Sequence, residues 1–236
     1  MKAVVVYGSP RGKNSASYRL GSNFARGLED VGHQVQEIML NDYEIGHCTG
    51  CKSCWTATPG KCAQNDGMAK IVEDHRNADL VVLSVPLYFF TVPGKVKDYL
   101  DRQLPLYLET FHKSTSSTPK DSKTWLEKIK FVLISPCGLP EKSNFDGLKA
   151  TMKQIFGSSY AQDFLVPFAD GMAKDNDETT FPDVYALMRD AGREFGKTLA
   201  ISQETRDHFE QMTTMDKEKM GQIIAALKAR KQQKQS

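Results

Sequence analysis

Four of the five cysteines lie close together: Cys48, Cys51, Cys54 and Cys62, in the spacing C-x2-C-x2-C-x7-C. Two-residue gaps let successive thiolates converge on one small centre. Four thiolates suit a [4Fe–4S] cluster, the leading reading, and they would also suit tetrahedral zinc. Without a metal, crowded thiols are prone to oxidation, so a structural or redox role for free thiols is the third reading. An odd cysteine count with no secretory leader argues against a disulfide framework. His47 adjoins the cluster but reads as a solvated loop histidine, and Cys137 reads as a small buried residue.

A second group lies at the start of the chain. Gly8-Ser9-Pro10-Arg11-Gly12 breaks an apolar run, and Asn14-Ser15-Ala16-Ser17 follows. A turn entering a helix N-terminus offers unpaired N–H groups and positive dipole potential to an anion. Ser9, Ser15 and Ser17 add hydroxyls, and Arg11 adds a charge. G-x-G-x-x-G and Gly-Lys-Ser/Thr are both absent, so a monophosphate fits better than a pyrophosphate. The plainer alternative is a turn with a serine cap. A third group, Pro86-Leu87-Tyr88-Phe89-Phe90, ends another apolar run. Aromatics there can flank a flat ring or simply cover a core.

Elements able to position these groups can be read from the hydrophobic pattern. Residues 3–7, 34–40, 79–85, 130–135 and, more weakly, 162–167 read as strands. Helices are expected from residue 14 or 15 to Gly32, from Asp66 to about Asn77, after Pro93, near 145–156, near 183–202 and near 214–230. Alternating strands and helices imply a parallel sheet covered on both faces, with right-handed crossovers. The simplest solution is an α/β, doubly wound, five-stranded sheet in the flavodoxin-like order 2-1-3-4-5. Ligands of such sheets sit beyond the carboxyl ends of the strands, where strand order reverses, here between the first and third strands.

The 236 residues suffice for one good-sized domain, expected over 1–202 with a cysteine-rich loop at 46–64 and an excursion at 103–129. The Ser/Thr/Lys-rich part of that excursion is too polar to build a core. Residues 203–236 are expected to form a helical extension with a basic tail. The net charge of +2 carries no polyanion signature, so nucleic acid is not an expected partner. No apolar run approaches the roughly 20 residues of a membrane span. The N-terminus lacks a leader's cleavage site, and a cytoplasmic location is expected.

Two strings, in their order along the chain, carry a resemblance. GSPRGKNSASYRL resembles the first loop of the NADPH-dependent FMN reductase family, and VPLYFFTVPGKVKDYLDR resembles its second. The compact cysteine motif, running into Asp66-Gly67-Met68, is similar to that of the family's iron–sulfur flavoprotein branch. The resemblance covers 1–102 well and 130–200 more loosely. It implies that Ser9, Arg11, Asn14, Ser15, Ala16 and Ser17 surround an FMN phosphate. Pro86, Leu87, Tyr88, Phe89 and Phe90 would then line the isoalloxazine, with Ser135, Cys137 and Gly138 on the opposite side. Cys48, Cys51, Cys54 and Cys62 would hold the cluster. Gly12 looks like an insertion in the first loop, and Ala16 stands where the family often has Asn. The implied activity is NAD(P)H-dependent flavin reduction, with electrons passing to the cluster, a quinone or nitro-type acceptor, or a redox protein. A homodimer or homotetramer is the implied assembly. The alternative is an electron carrier without its own NAD(P)H turnover. Hydride transfer to a flavin requires no protein acid or base, so no catalytic side chain is singled out.

Overall fold

A computed structural model describes residues 1–108, 124–167, 169 and 182–214, with isolated positions 218, 221, 225, 229 and 232 beyond them. Most of the expected helix at 214–230 and the Ser/Thr/Lys-rich part of the excursion lie outside the described residues.

Five strands form one parallel sheet in the order β2-β1-β3-β4-β5, as the alternation predicts. They are β1 (Lys2–Tyr7), β2 (Gln34–Met39), β3 (Leu80–Ser84), β4 (Lys130–Pro136) and β5 (Tyr160–Val166). β1, β3 and β4 are central and apolar, as burial on both faces requires. Val4, Val6, Val81, Leu83, Phe131 and Leu133 face one layer, which holds α2 (Met68–Arg76), α3 (Gly94–Asp101), α4 (Trp125–Lys128) and α5 (Asp146–Phe156). Val5, Tyr7, Val82, Val132 and Ile134 face the other, which holds α1 (Ala16–Asp30) and α6 (Pro182–Thr198).

The flanks of the excursion are packed. Leu106 is buried in a 3-10 turn, Leu104–Tyr107, and Trp125 and Ile129 join the core under a capping box at Thr124 and Glu127. A further helix, α7 (Gln203–Thr213), lies inside the stretch 203–236 expected to be a helical extension, ahead of the helix expected near 214–230. Its single buried aromatic, Phe209, meets Phe164 of β5 at 5.1 Å between centroids. One aromatic among polar residues is too sparse a periodicity to read from sequence, and its contact crosses the boundary drawn at 202. No helix among the described residues is long and apolar enough to cross a membrane.

Candidate functional site

The carboxyl ends of β1, β3 and β4 lie side by side, so the three turns that follow them are neighbours. Gly8 donates its N–H to the Ser84 carbonyl at 3.1 Å. A Cβ at Gly8 would meet Val96 Cγ2 at 2.2 Å and Val85 Cγ1 at 2.8 Å, so only glycine lets the chain turn there. Ser9 then accepts twice through its carbonyl, from Gly12 N–H at 3.0 Å and Asn41 Nδ2 at 2.9 Å. Asn41, which leaves β2, also reaches the Pro10 carbonyl at 3.2 Å and was not foreseen as part of this turn.

Ser15 is the N-cap of α1, extended and accepting from Tyr18 N–H at 3.2 Å. Its hydroxyl donates to the Gly12 carbonyl at 2.7 Å, so its proton is already committed. Ser17 lies 3.2 Å from it, and Ser84 donates to the Ser17 carbonyl at 2.6 Å. With Tyr18 N–H capped by Ser15, the remaining first-turn donors are the N–H groups of Ala16 and Ser17, which helix geometry leaves without intrahelical acceptors. With Arg11 exposed beside them, the turn suits an oxyanion through its backbone more than through its serine side chains.

The turn after β3 is a two-residue hairpin. Tyr88 N–H donates to the Thr91 carbonyl at 2.9 Å, and Thr91 N–H returns the bond at 3.0 Å. The two residues between them, Phe89 and Phe90, have φ of 47° and 66°. Positive φ at both central positions is the mirror-image turn that Asn-Gly or Gly-Gly normally occupies. Two aromatics held there are strained, and strain of this kind concentrates at ligand clamps. Their rings are also exposed, Phe89 at 95% and Phe90 at 51%.

Near the carboxyl end of β4, Ser135 is fully buried, and its hydroxyl has no hydrogen-bond partner among the described residues. Cys137 is buried and points its thiol to the Leu139 carbonyl at 3.2 Å. A small cleft of about 60 Å³ marks where the three turns meet. Arg11, Ala16 and Ser17 line it from the first turn, Pro86, Leu87 and Tyr88 from the second, and Cys137 and Gly138 from the third. Ser9, Asn14, Ser15, Phe89, Phe90 and Ser135 do not line it. This volume is far below the roughly 300 Å³ of an enclosed small-ligand pocket, so the meeting point of the three turns is a shallow surface groove.

The cysteine loop leaves β2 and returns to α2. Three of its residues, Gly50, Lys52 and Gly60, are left-handed, with φ of 67°, 58° and 76°. Cys54 is buried in a 3-10 turn, Ser53–Trp55, Cys48 and Cys62 are half-buried and Cys51 is exposed; all are free. Trp55 Nε1 donates to the Leu104 carbonyl at 2.9 Å, and Arg76 donates to the Gly60 carbonyl, tying the loop to the domain. Burial, then the charges of Cys62, Cys51 and Cys48, pushes the Cys54 thiol up. Hydrogen bonds from Ser53 and Thr49 pull the Cys51 thiol down. Cys54 thus feels the other three cysteines, and a set of four thiols fits a thiolate-bound centre in its chemistry. Among the described residues, however, no group of three or more His, Cys, Asp or Glu converges on a metal position.

One residue outside the expected site anchors this loop. Arg102, the C-cap of α3, is 1% exposed. It forks onto Asp66, with Nη2 to Oδ1 and Nη1 to Oδ2 both at 2.8 Å. Its place at the end of the DYLDR string was the available signal, but nothing in the string told a buried fork from a surface cation.

A family model described as the flavodoxin-like fold matches residues 1–190. An iron–sulfur flavoprotein of Archaeoglobus fulgidus is 35% identical over 105 residues, covering 44% of this chain and 46% of that protein. FMN-dependent NADH:quinone oxidoreductase 1 of Hahella chejuensis is 32% identical over 117 residues, covering 48% and 55%. The match spans about half the length of these curated relatives. Among solved structures, an NAD(P)H:quinone oxidoreductase from Methanothermobacter marburgensis shares the fold, with a TM-score of 0.60 at 14% identity over 86% of this chain and 98% of that one.

Proposed function

The chain belongs to the flavodoxin-like fold family, and from that premise we propose that it is an FMN-dependent oxidoreductase that accepts hydride from NAD(P)H. The cleft shared by the turns after β1, β3 and β4 carries this reading. FMN, when bound, would supply the conversion between two-electron and one-electron chemistry. The first turn of α1 and Arg11 would hold the phosphate. The strained Tyr88–Thr91 hairpin would orient the ring, its exposed aromatics excluding water from one side. Ser135, Cys137 and Gly138 would close the other side. The relatives named as FMN-dependent quinone oxidoreductases support the same assignment.

Cys48, Cys51, Cys54 and Cys62 would hold an iron–sulfur cluster beside the flavin. Supporting this are the free thiols, the names of several relatives, and a hollow of about 560 Å³ lined by Cys48 and Gly50 on one side and Thr91 and Val92 on the other. That hollow puts the cysteine loop next to the aromatic hairpin, where electrons would pass between centres. The same proximity favours a second reading, an electron carrier that exchanges electrons with a redox protein and does not turn over NAD(P)H. Assembly as a homodimer or homotetramer in the cytoplasm completes the proposal, and the exposed Phe89 ring is the support for a second copy.

The test is a titration of anaerobically purified protein with FMN, followed by NAD(P)H. Quenching of FMN fluorescence and rapid bleaching under NAD(P)H are expected. Quenching without bleaching would select the carrier. Absence of quenching at saturating FMN would overturn both.

A further inference from the structure

We propose that Ser84 is a positioning residue for the anion-binding turn, holding the first turn of α1 against the end of β3 so that its free N–H groups meet a phosphate. That this phosphate belongs to FMN rests on the function proposed above; the hold of Ser84 on the turn does not.

Ser84 closes β3 and is the one polar side chain of an otherwise apolar strand. It is fully buried at the middle of the sheet and does not line the cleft. A buried hydroxyl is costly without a partner, and this one finds its partner in another layer. Its Oγ donates to the Ser17 carbonyl at 2.6 Å. Its own carbonyl accepts from Gly8 N–H at 3.1 Å, so one residue grips both ends of the turn between β1 and α1. The Ser17 carbonyl does not need the Ser84 bond to be satisfied. It lies inside α1, where helix geometry already supplies the Gly21 N–H as its donor. Ser84 is a second donor, and its effect is on where the helix sits.

The peptide that carries this carbonyl also carries Tyr18 N–H, which donates to Ser15 Oγ at 3.2 Å, and Ser15 donates in turn to the Gly12 carbonyl at 2.7 Å. A hydrogen-bonded chain thereby runs from β3 through the cap of α1 to the turn, and neighbouring bonds in such a chain strengthen one another. Ala16 and Ser17, whose N–H groups are free for an anion, lie along it. Gly21 shows how closely the helix is seated. A Cβ there would lie 2.7 Å from both Cβ and Oγ of Ser84 and 2.9 Å from Tyr7 Cε1. Glycine lets α1 rest this low on the strand end, and Ser84 supplies the bond that keeps it there. Without that bond the first turn is held by its local cap, and helix ends open most easily.

The experiment uses the full chain in flavin-free form, as wild type, Ser84→Ala and Gly21→Ala. Hydrogen exchange of the Tyr18 amide is read by NMR against that of Phe24, buried further along the same helix. Loss of one net hydrogen bond should speed Tyr18 about fivefold relative to Phe24 in Ser84→Ala. Titrations with FMN and with riboflavin, followed by flavin fluorescence, isolate the phosphate. The Kd for FMN should rise about fivefold in Ser84→Ala, while that for riboflavin, which has no phosphate, stays within about twofold of wild type. Gly21→Ala lifts α1 by a different route and should shift the FMN-to-riboflavin ratio in the same direction. Ser84→Ala removes a single oxygen and remains informative if Gly21→Ala does not fold. Equal weakening of FMN and riboflavin in Ser84→Ala would assign Ser84 to the fold of the whole cleft and overturn the proposal, as would an unchanged exchange ratio. A wild type that binds no FMN would remove the function proposed above, while the exchange ratio still decides whether Ser84 holds the turn.

Discussion

His75 Nε2 lies 2.7 Å from the Tyr99 hydroxyl, and both side chains are buried between α2 and α3. The other ring nitrogen, Nδ1, is 2.8 Å from the Ile71 carbonyl, which can only accept. Nδ1 therefore carries the proton and Tyr99 donates to Nε2. Trp125 Nε1 donates to the His75 carbonyl at 2.9 Å, tying α4 to the same point. A second proton on the imidazole would displace the Tyr99 donor and charge a site without water. Burial accordingly pushes the His75 pKa down to about 4.

That depression makes stability depend on pH. Above the unfolded value of about 6.5 the folded protein keeps its full stability, and it loses stability as pH falls through about 4. The loss is about 3 kcal/mol, since each pKa unit corresponds to roughly 1.4 kcal/mol. Urea midpoints measured at pH 7 and pH 4.5 should fall in the wild type. They should fall much less in His75→Gln, which starts lower but lacks this titration. Equal falls in the two proteins would exclude His75 as the source.

Phe90→Gly tests the strained hairpin. Relief of a left-handed conformation is worth roughly 1–2 kcal/mol, against about 0.5–1 kcal/mol of added chain entropy for glycine. The FMN-free variant should therefore melt at the wild-type temperature or a few degrees above it, and bind FMN at least tenfold more weakly. Weaker FMN binding together with a clear loss of apo stability would mean that Phe90 serves the fold.

Gly27→Ala probes the packing of α1 on α6, the contact that fixes where the first turn stands. A Cβ at Gly27 would lie 2.0 Å from the Arg189 carbonyl, and one at Gly192 would lie 2.2 Å from that of Phe24. Backbone cannot yield as a side-chain tip can, so the helices must part, at a cost of about 2–3 kcal/mol. A drop in the denaturation midpoint without a change in m-value is the expected reading. Asp30, held down to about 2 by the guanidinium groups of Arg189 and Arg193, spans the same seam and should keep the helices in register.

Cys51→Ser separates the two centres proposed for this chain. Cys51 is exposed and its loss opens no cavity, so the fold and FMN binding should be unaffected. Iron and sulfide content after anaerobic reconstitution should fall to background. Retention of iron in this variant would remove Cys51 from the ligand set, and simultaneous loss of FMN would assign the cysteines to the fold.

Much of the frame was readable before any coordinates. The β-branched runs around Val5, Val82 and Val132 show no alternation, and only a strand buried on both faces reads that way. Ser15 and Pro93 marked their helix starts by local chemistry alone. The strand before Val166 was weaker because Tyr160, Ala161 and Gln162 are only half-buried at a sheet edge. Helix α7 was given no bounds of its own within the expected extension because, apart from Phe209 and Thr213, most of its residues face water and mark no apolar stripe.

By itself the sequence determined the topology, the place of each chemically equipped turn and the number of thiols in the cysteine loop. These follow from local periodicity, capping and spacing, which act over a few residues. The tertiary structure alone decided that Ser15 gives its proton to Gly12, that two phenylalanines accept a left-handed turn, and that Arg102 is buried against Asp66. The first two are short-range geometries that residue types alone leave open, and the last joins residues far apart in the chain, where the energy of a contact is set by neighbours that no local pattern names.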